Sequence, residues 1–178
     1  MDASEALLTR IENDPVVIQR LAWPGDFDIT RRDPVEDVRL PSGLAMRPIA
    51  GDGAGGTFFL CGESGDAERP VVYADSEGQA ALIGADLAEA MELIVSCPVW
   101  WHDVDSGCSP EELEAEVRED HPDLDRQREE LAAALGLTLP PAEEVVARLR
   151  ATAARTAPDF LPYVDDDGHG SYEPMFGP

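Results

Sequence analysis

The sequence predicts an α+β fold, a small antiparallel β-sheet flanked by helices, with a helical extension toward the C-terminus. Three observations carry that expectation. Residues 43–83 hold short apolar runs separated by Gly- and Asp-rich turns, too closely spaced for crossover helices. On either side of them, apolar residues recur at three- and four-residue spacing. Helix start and stop residues bracket those periodic stretches.

At the N-terminus the pattern predicts two short helices. Ser4 is placed to cap the first, which carries Leu7, Leu8 and Ile11 on one side. Asp14-Pro15 supplies a cap followed by proline at the first helical position, and Val17, Ile18 and Leu21 continue an apolar stripe to Trp23. Pro24-Gly25 stops it. Residues 26–42 mix Asp, Arg and Pro, a loop with room for one short strand.

The strand signals follow. Leu44, Met46 and Ile49 suggest a strand bent near Pro48. Gly51-Asp52-Gly53-Ala54-Gly55-Gly56 is a turn into Thr57-Phe58-Phe59-Leu60-Cys61, and Pro70-Val71-Val72-Tyr73-Ala74 is the next strand. Asp75-Ser76-Glu77-Gly78 reads as a hairpin turn into Ala80-Ala81-Leu82-Ile83. Leu87, Met91, Ile94 and Val95 then recur at helical spacing, with Asp86 in the first turn and Pro98 as the stop.

Beyond this the chain predicts three charged helices. Ser109-Pro110-Glu111-Glu112 joins a cap, a first-position proline and a capping-box glutamate. A second helix starts near Pro122, carries Leu124, Leu131 and Leu135, and stops at Gly136. A third runs from about Pro141 with Val145, Val146, Leu149 and Ala153 inward, ending before Pro158. The expected organisation is an α+β core over 1–103, an acidic helical extension packed on it over 104–157, and an acidic Gly/Pro-rich tail over 158–178, flexible or ordered on contact.

Charge narrows the function classes. The 178 residues include 37 acidic and 13 basic ones, for a net charge of −24. Every basic residue is arginine, which with abundant Ala, Gly and Pro reads as coding bias of a GC-rich bacterial genome. A field of this sign repels phosphate backbones and anionic membrane surfaces, and favours encounter with a basic protein. The acidic first residues lack the pattern of a signal peptide, and no apolar run reaches the roughly 20 residues of a membrane span. Cys61, Cys97 and Cys108 are odd in number and lack C-x-x-C spacing, as in a reduced compartment. The expected location is the cytoplasm.

The order Pro48-Ile49-Ala50-Gly51-Asp52-Gly53-Ala54-Gly55-Gly56-Thr57-Phe58-Phe59-Leu60, then 70–78, then 81–91, resembles the core of the SUKH superfamily. That group includes bacterial immunity proteins and a fungal cell-wall synthesis regulator. The resemblance covers about residues 48–103. It implies an α+β fold that binds proteins, in bacterial members often a toxin whose catalytic domain, commonly a basic nuclease, is neutralised. The N-terminal region and the helices from Ser109 onward depart from the family pattern.

No motif points to catalysis. The glycine turn at 51–56 lacks the Lys-Ser/Thr pair and the following helix of a phosphate loop. His102, Asp103 and Cys108 have metal-ligand residue types but no paired-ligand spacing. A small hydrolase using carboxylates with His102, metal-dependent or not, is the alternative reading. Asp165-Asp166-Asp167-Gly168 matches a calcium loop only at alternate aspartates. No cofactor is expected. The candidate partner-binding residues are Trp100 and Trp101, of which one could be an exposed anchor although joint burial fits somewhat better, and Glu112, Glu116, Glu119 and Asp123. These four carboxylates belong to a stretch from Asp103 to Glu130 that holds twelve Asp or Glu and three Arg.

Overall fold

Asp2, not Ser4, caps the first helix. A computed structural model describes residues 1–164 and 170–177. In it α1 spans Ala3–Glu12, and the Asp2 carboxylate accepts from Glu5 N at 2.9 Å. Ser4 lies one position inside the helix, where its buried hydroxyl accepts from Leu87 N at 3.4 Å. Asp14 caps α2 (Pro15–Ala22) as the Asp-Pro signal predicts, accepting from Val16 N and Val17 N.

The sheet follows from four hairpin-linked strands. These are β2 (Met46–Gly51), β3 (Thr57–Cys61), β4 (Val71–Ala74) and β5 (Gln79–Gly84), paired antiparallel in that order. A short β1 (Val38–Arg39) forms in the 26–42 loop. Side chains of β3–β5 alternate between two packing layers. Phe58, Leu60, Val71, Tyr73, Ala81 and Ile83 enter one, and Phe59, Cys61, Val72, Ala74, Ala80 and Leu82 enter the other. Burial on both faces explains why these strands read as unbroken apolar runs rather than as alternating ones.

The first layer is closed by α1, α2 and α3 (Leu87–Ser96), by a 3-10 turn at Trp100–Asp103, and by the C-terminal helices. Those are α4 (Pro110–Asp120), α5 (Leu124–Leu135) and α6 (Ala142–Ala153). Leu113, Leu131, Leu135, Val145 and Leu149 join the same core as the sheet. The helical extension is therefore continuous with the core. Gly136 ends α5 at φ 69, a left-handed conformation that glycine adopts without steric cost.

The segment after Pro158, expected to be flexible or ordered on contact, contributes two short strands. β6 (Tyr163–Val164) pairs with β1, and β7 (Glu173–Pro174) adds to β5 in parallel, making the sheet mixed at that edge. Glu173 N donates to Gly78 O and Met175 N to Ala80 O. Phe160, Val164 and Tyr172 pack on the second layer, Met175 and Phe176 on the first. The aspartates at 165–167, with Gly168 and His169, lie outside the described residues. Among the described residues no helix is long and apolar enough to cross a membrane.

Candidate functional site

The acidic helices α4 and α5 are set by local chemistry. Ser109 accepts from Glu112 N at 3.2 Å, while the Glu112 carboxylate accepts from Ser109 N at 2.7 Å, the reciprocal capping box the sequence predicts. Those hydrogen bonds hold the Glu112 carboxyl below its ordinary pKa. Glu112 is thus partly occupied with holding its own helix.

Between the helices, arginines knit the inner edge. Arg118 pairs with Glu114 and Asp125, and Arg128 with the same two carboxylates while also donating to Val95 O and Ser96 O. The Arg118 hydrogen bond is the main cause of the lowered Asp125 pKa. Arg126 pairs with Asp123 and Glu130, and Arg20 of α2 also reaches Glu130. Among the described residues, Glu111, Glu116, Glu119, Asp120 and Glu129 face solvent without a cation partner. The structure therefore separates the four candidate carboxylates: Glu116 and Glu119 are open, Glu112 caps α4, and Asp123 pairs with Arg126.

Of the two readings of the tryptophan pair, joint burial is the one found, and the exposed anchor is corrected. Trp100 and Trp101 are 3 % and 0 % exposed, so neither presents an anchor at the surface. The 3-10 turn carries both indoles inward. Trp101 meets Tyr73 edge-on at 5.2 Å and Phe58 at 6.3 Å, with Phe176 at 6.5 Å. The exposed tryptophan is Trp23, at 57 %. Its apolar stripe reads as core in the sequence, but Trp23 is the residue where α2 ends, and its extended backbone turns the indole outward. The Pro24-Gly25 stop is the signal that could have shown it. The ring lies 5.4 Å from that of His121, the residue that closes α4.

Beneath the glycine turn sits the other polar cluster. Asp52 is 2 % exposed and accepts from Ala54 N at 2.9 Å and Gly56 N at 2.8 Å, and Tyr73 donates its hydroxyl to the other carboxylate oxygen. A Cβ at Gly56 would lie 2.7 Å from that oxygen, so glycine is required by the close approach. Gly53 N donates to Asp26 at 2.9 Å. His102 stands edge-on to Tyr73 at 5.0 Å and against Trp101 at 3.8 Å. Burial lowers its pKa, outweighing the pull of Asp52, Asp26, Asp103 and Asp75 toward the charged form. The glycine turn is thus an Asp-braced hairpin loop. Cys61 and Cys97 are buried free thiols, and burial raises each pKa to about 12. Cys108 is exposed. Among the described residues no group of three His, Cys, Asp or Glu is placed to hold a metal ion.

A surface cavity of about 360 Å³ lies where the N-termini of α1 and α3 meet Arg69 and Arg155. Arg69 is already engaged there, with Asp2, Glu5 and Cys61 O. Comparison of the chain with protein-family models, curated proteins and solved structures found no match.

Proposed function

We propose that this protein is a non-catalytic, cytoplasmic binding module that engages a basic protein through the acidic surface of α4 and α5. On the reading that the SUKH resemblance supplies, it acts as an immunity protein, occluding the active site of a basic toxin. The observation that carries the proposal is the set of exposed carboxylates at Glu111, Glu116, Glu119, Asp120 and Glu129, which pair with no cation among the described residues. Pairing them would lower the self-repulsion of a −24 chain, and their field would speed encounter with a positive cleft. The same field disfavours nucleic acid and anionic membranes as partners.

The test is kinetic. Partner is captured from native lysate at low and moderate salt, and its association rate is then measured against wild type and a Glu116→Arg/Glu119→Arg/Asp120→Arg variant. Glu112 is left intact because it caps α4. The expected result is slower association at an unchanged melting temperature, with the difference shrinking as salt rises. Equal rates for both proteins would overturn the assignment of this surface.

A further inference from the structure

We infer that Trp23 is the anchor of this interface and that it receives an arginine side chain of the basic partner. The inference rests on the reading that the partner is a basic protein, and adds which residue of this chain meets it and through what chemistry. Of the three tryptophans, only Trp23 is exposed. On α2, Val17 and Leu21 are buried in the core while Val16 is 54 % exposed, and Trp23 follows directly where the backbone turns extended. An exposed tryptophan carries a large apolar area with little side-chain entropy to lose, which suits an interface hot spot.

The indole is held in place before any partner arrives. One side of it meets the His121 ring at 5.4 Å and an interplanar angle of 59°. The backbone of His121 is fixed, because its N–H donates to Val117 O at 2.9 Å and its carbonyl accepts from Leu124 N at 3.1 Å. Trp23 therefore sits at the corner between α4 and α5, beside the chain segment in which Asp120 and Asp123 flank His121.

Charge decides the occupant. Residues 119–130 hold six carboxylates and two arginines. Arg126 is engaged with Asp123 and Glu130, Arg128 with Glu114 and Asp125, and Arg20 with Glu130. The Arg126–Asp123 pair is 62 % exposed on both sides, so it holds its geometry weakly and can yield to an incoming cation. A guanidinium stacked on the indole keeps its planar fork free for the carboxylates beside it; an ammonium has no such fork. A second copy of this chain is a poor occupant, since each carries −24.

The test titrates the protein with two fluorophore-labelled peptides of equal length and charge, one arginine-rich and one lysine-rich, at about physiological salt. The proteins compared are wild type, Trp23→Ala, Glu119→Gln/Asp120→Gln beside the anchor, and Glu63→Gln/Glu68→Gln in the β3–β4 loop. The two double variants remove the same charge. Expected is a loss of about fivefold in affinity for the arginine peptide in Trp23→Ala, with a smaller loss for the lysine peptide. The Glu119/Asp120 variant should lose more than the Glu63/Glu68 variant. Melting temperatures show whether each variant is folded. If Trp23→Ala binds both peptides like wild type, or the two double variants weaken binding equally, the anchor is overturned while the basic-partner reading stands. If neither peptide binds wild type, both fall. A concentration-dependent dimer in sedimentation that Trp23→Ala abolishes would replace the basic partner with a second copy.

Discussion

Tyr73 donates its hydroxyl to the buried carboxylate of Asp52, joining the middle strand of the sheet to the turn that links β2 and β3. The other Asp52 oxygen accepts from two backbone N–H groups of that turn, so one carboxylate ties loop and strand together. Tyr73→Phe removes one donor and leaves a buried charge short of a partner. The expected cost is about 1.5–3 kcal/mol, read from urea unfolding at neutral pH. Burial first, and then the Asp52 hydrogen bond, raises the Tyr73 pKa far above its ordinary 10.0. The folded state therefore holds this proton more tightly than the unfolded chain. The tyrosine contribution should be complete below pH 10 and decline above it, where the unfolded phenol ionises first. The gap between wild type and Tyr73→Phe should narrow there; a constant gap would disprove the linkage.

Thr156 offers a cleaner hydrogen-bond measurement. It is 1 % exposed, donates its hydroxyl to Ala153 O at 2.7 Å and accepts from Leu82 N at 2.9 Å. It thereby stitches the end of α6 to β5. Thr156→Val keeps the shape but leaves a buried strand N–H without an acceptor. A loss of about 1–3 kcal/mol is expected in denaturant unfolding. Faster hydrogen exchange at the Leu82 amide would localise it.

These polar ties mark where the sequence was legible and where it was not. The helices from Asp14-Pro15, Ser109-Pro110 and Gly136 were readable because capping is local chemistry, settled within a few residues. The hairpins were readable for the same reason, through their turns. Ser4 misled because two polar residues near the chain start, Asp2 and Ser4, both suit a cap, and Asp2 is also drawn there by Arg69, 67 positions away. β7 carries no period and contains a proline; only its pairing with β5 makes it a strand. In the candidate site, the open carboxylates of α4 were visible as composition. Which tryptophan faces solvent was not, because it depends on the direction the chain takes after α2 and after α3.

The C-terminal segment has an expected energetic role. Phe176 is half-buried against the core and lies 6.5 Å from Trp101. Phe176→Ala should lower stability by about 1–2 kcal/mol, the amount expected for partial burial of such a side chain. Because Trp101 is a neighbour, the near-ultraviolet circular dichroism of the folded protein should change as well. An unaltered spectrum and melting temperature would mean that the segment contributes no packing.

Asp2 and Arg69 give the acid limb of stability its expected shape. Arg69, 5 % exposed at its side chain, pairs with Asp2 at 2.6 Å and Glu5 at 3.2 Å and donates to Cys61 O. Hydrogen bonds from Glu5 N and then Gly65 N, with help from Arg69, lower the Asp2 pKa from 3.8 to about 2. A carboxyl depressed in the folded state adds stability that is complete above the unfolded value and is lost as the unfolded chain takes up the proton first. The Asp2 contribution should therefore be constant above about pH 5, fall between 3.8 and 2, and vanish below. Asp2→Asn keeps a good helix cap but cannot ionise. Its stability should lie below that of wild type at pH 7 and converge on it toward pH 2. Arg69→Met removes the cation from both carboxylates and should cost about 3 kcal/mol at pH 7, less in acid as they become neutral. Parallel curves for wild type and Asp2→Asn down to pH 2 would show that the carboxylate's charge adds nothing to the cap.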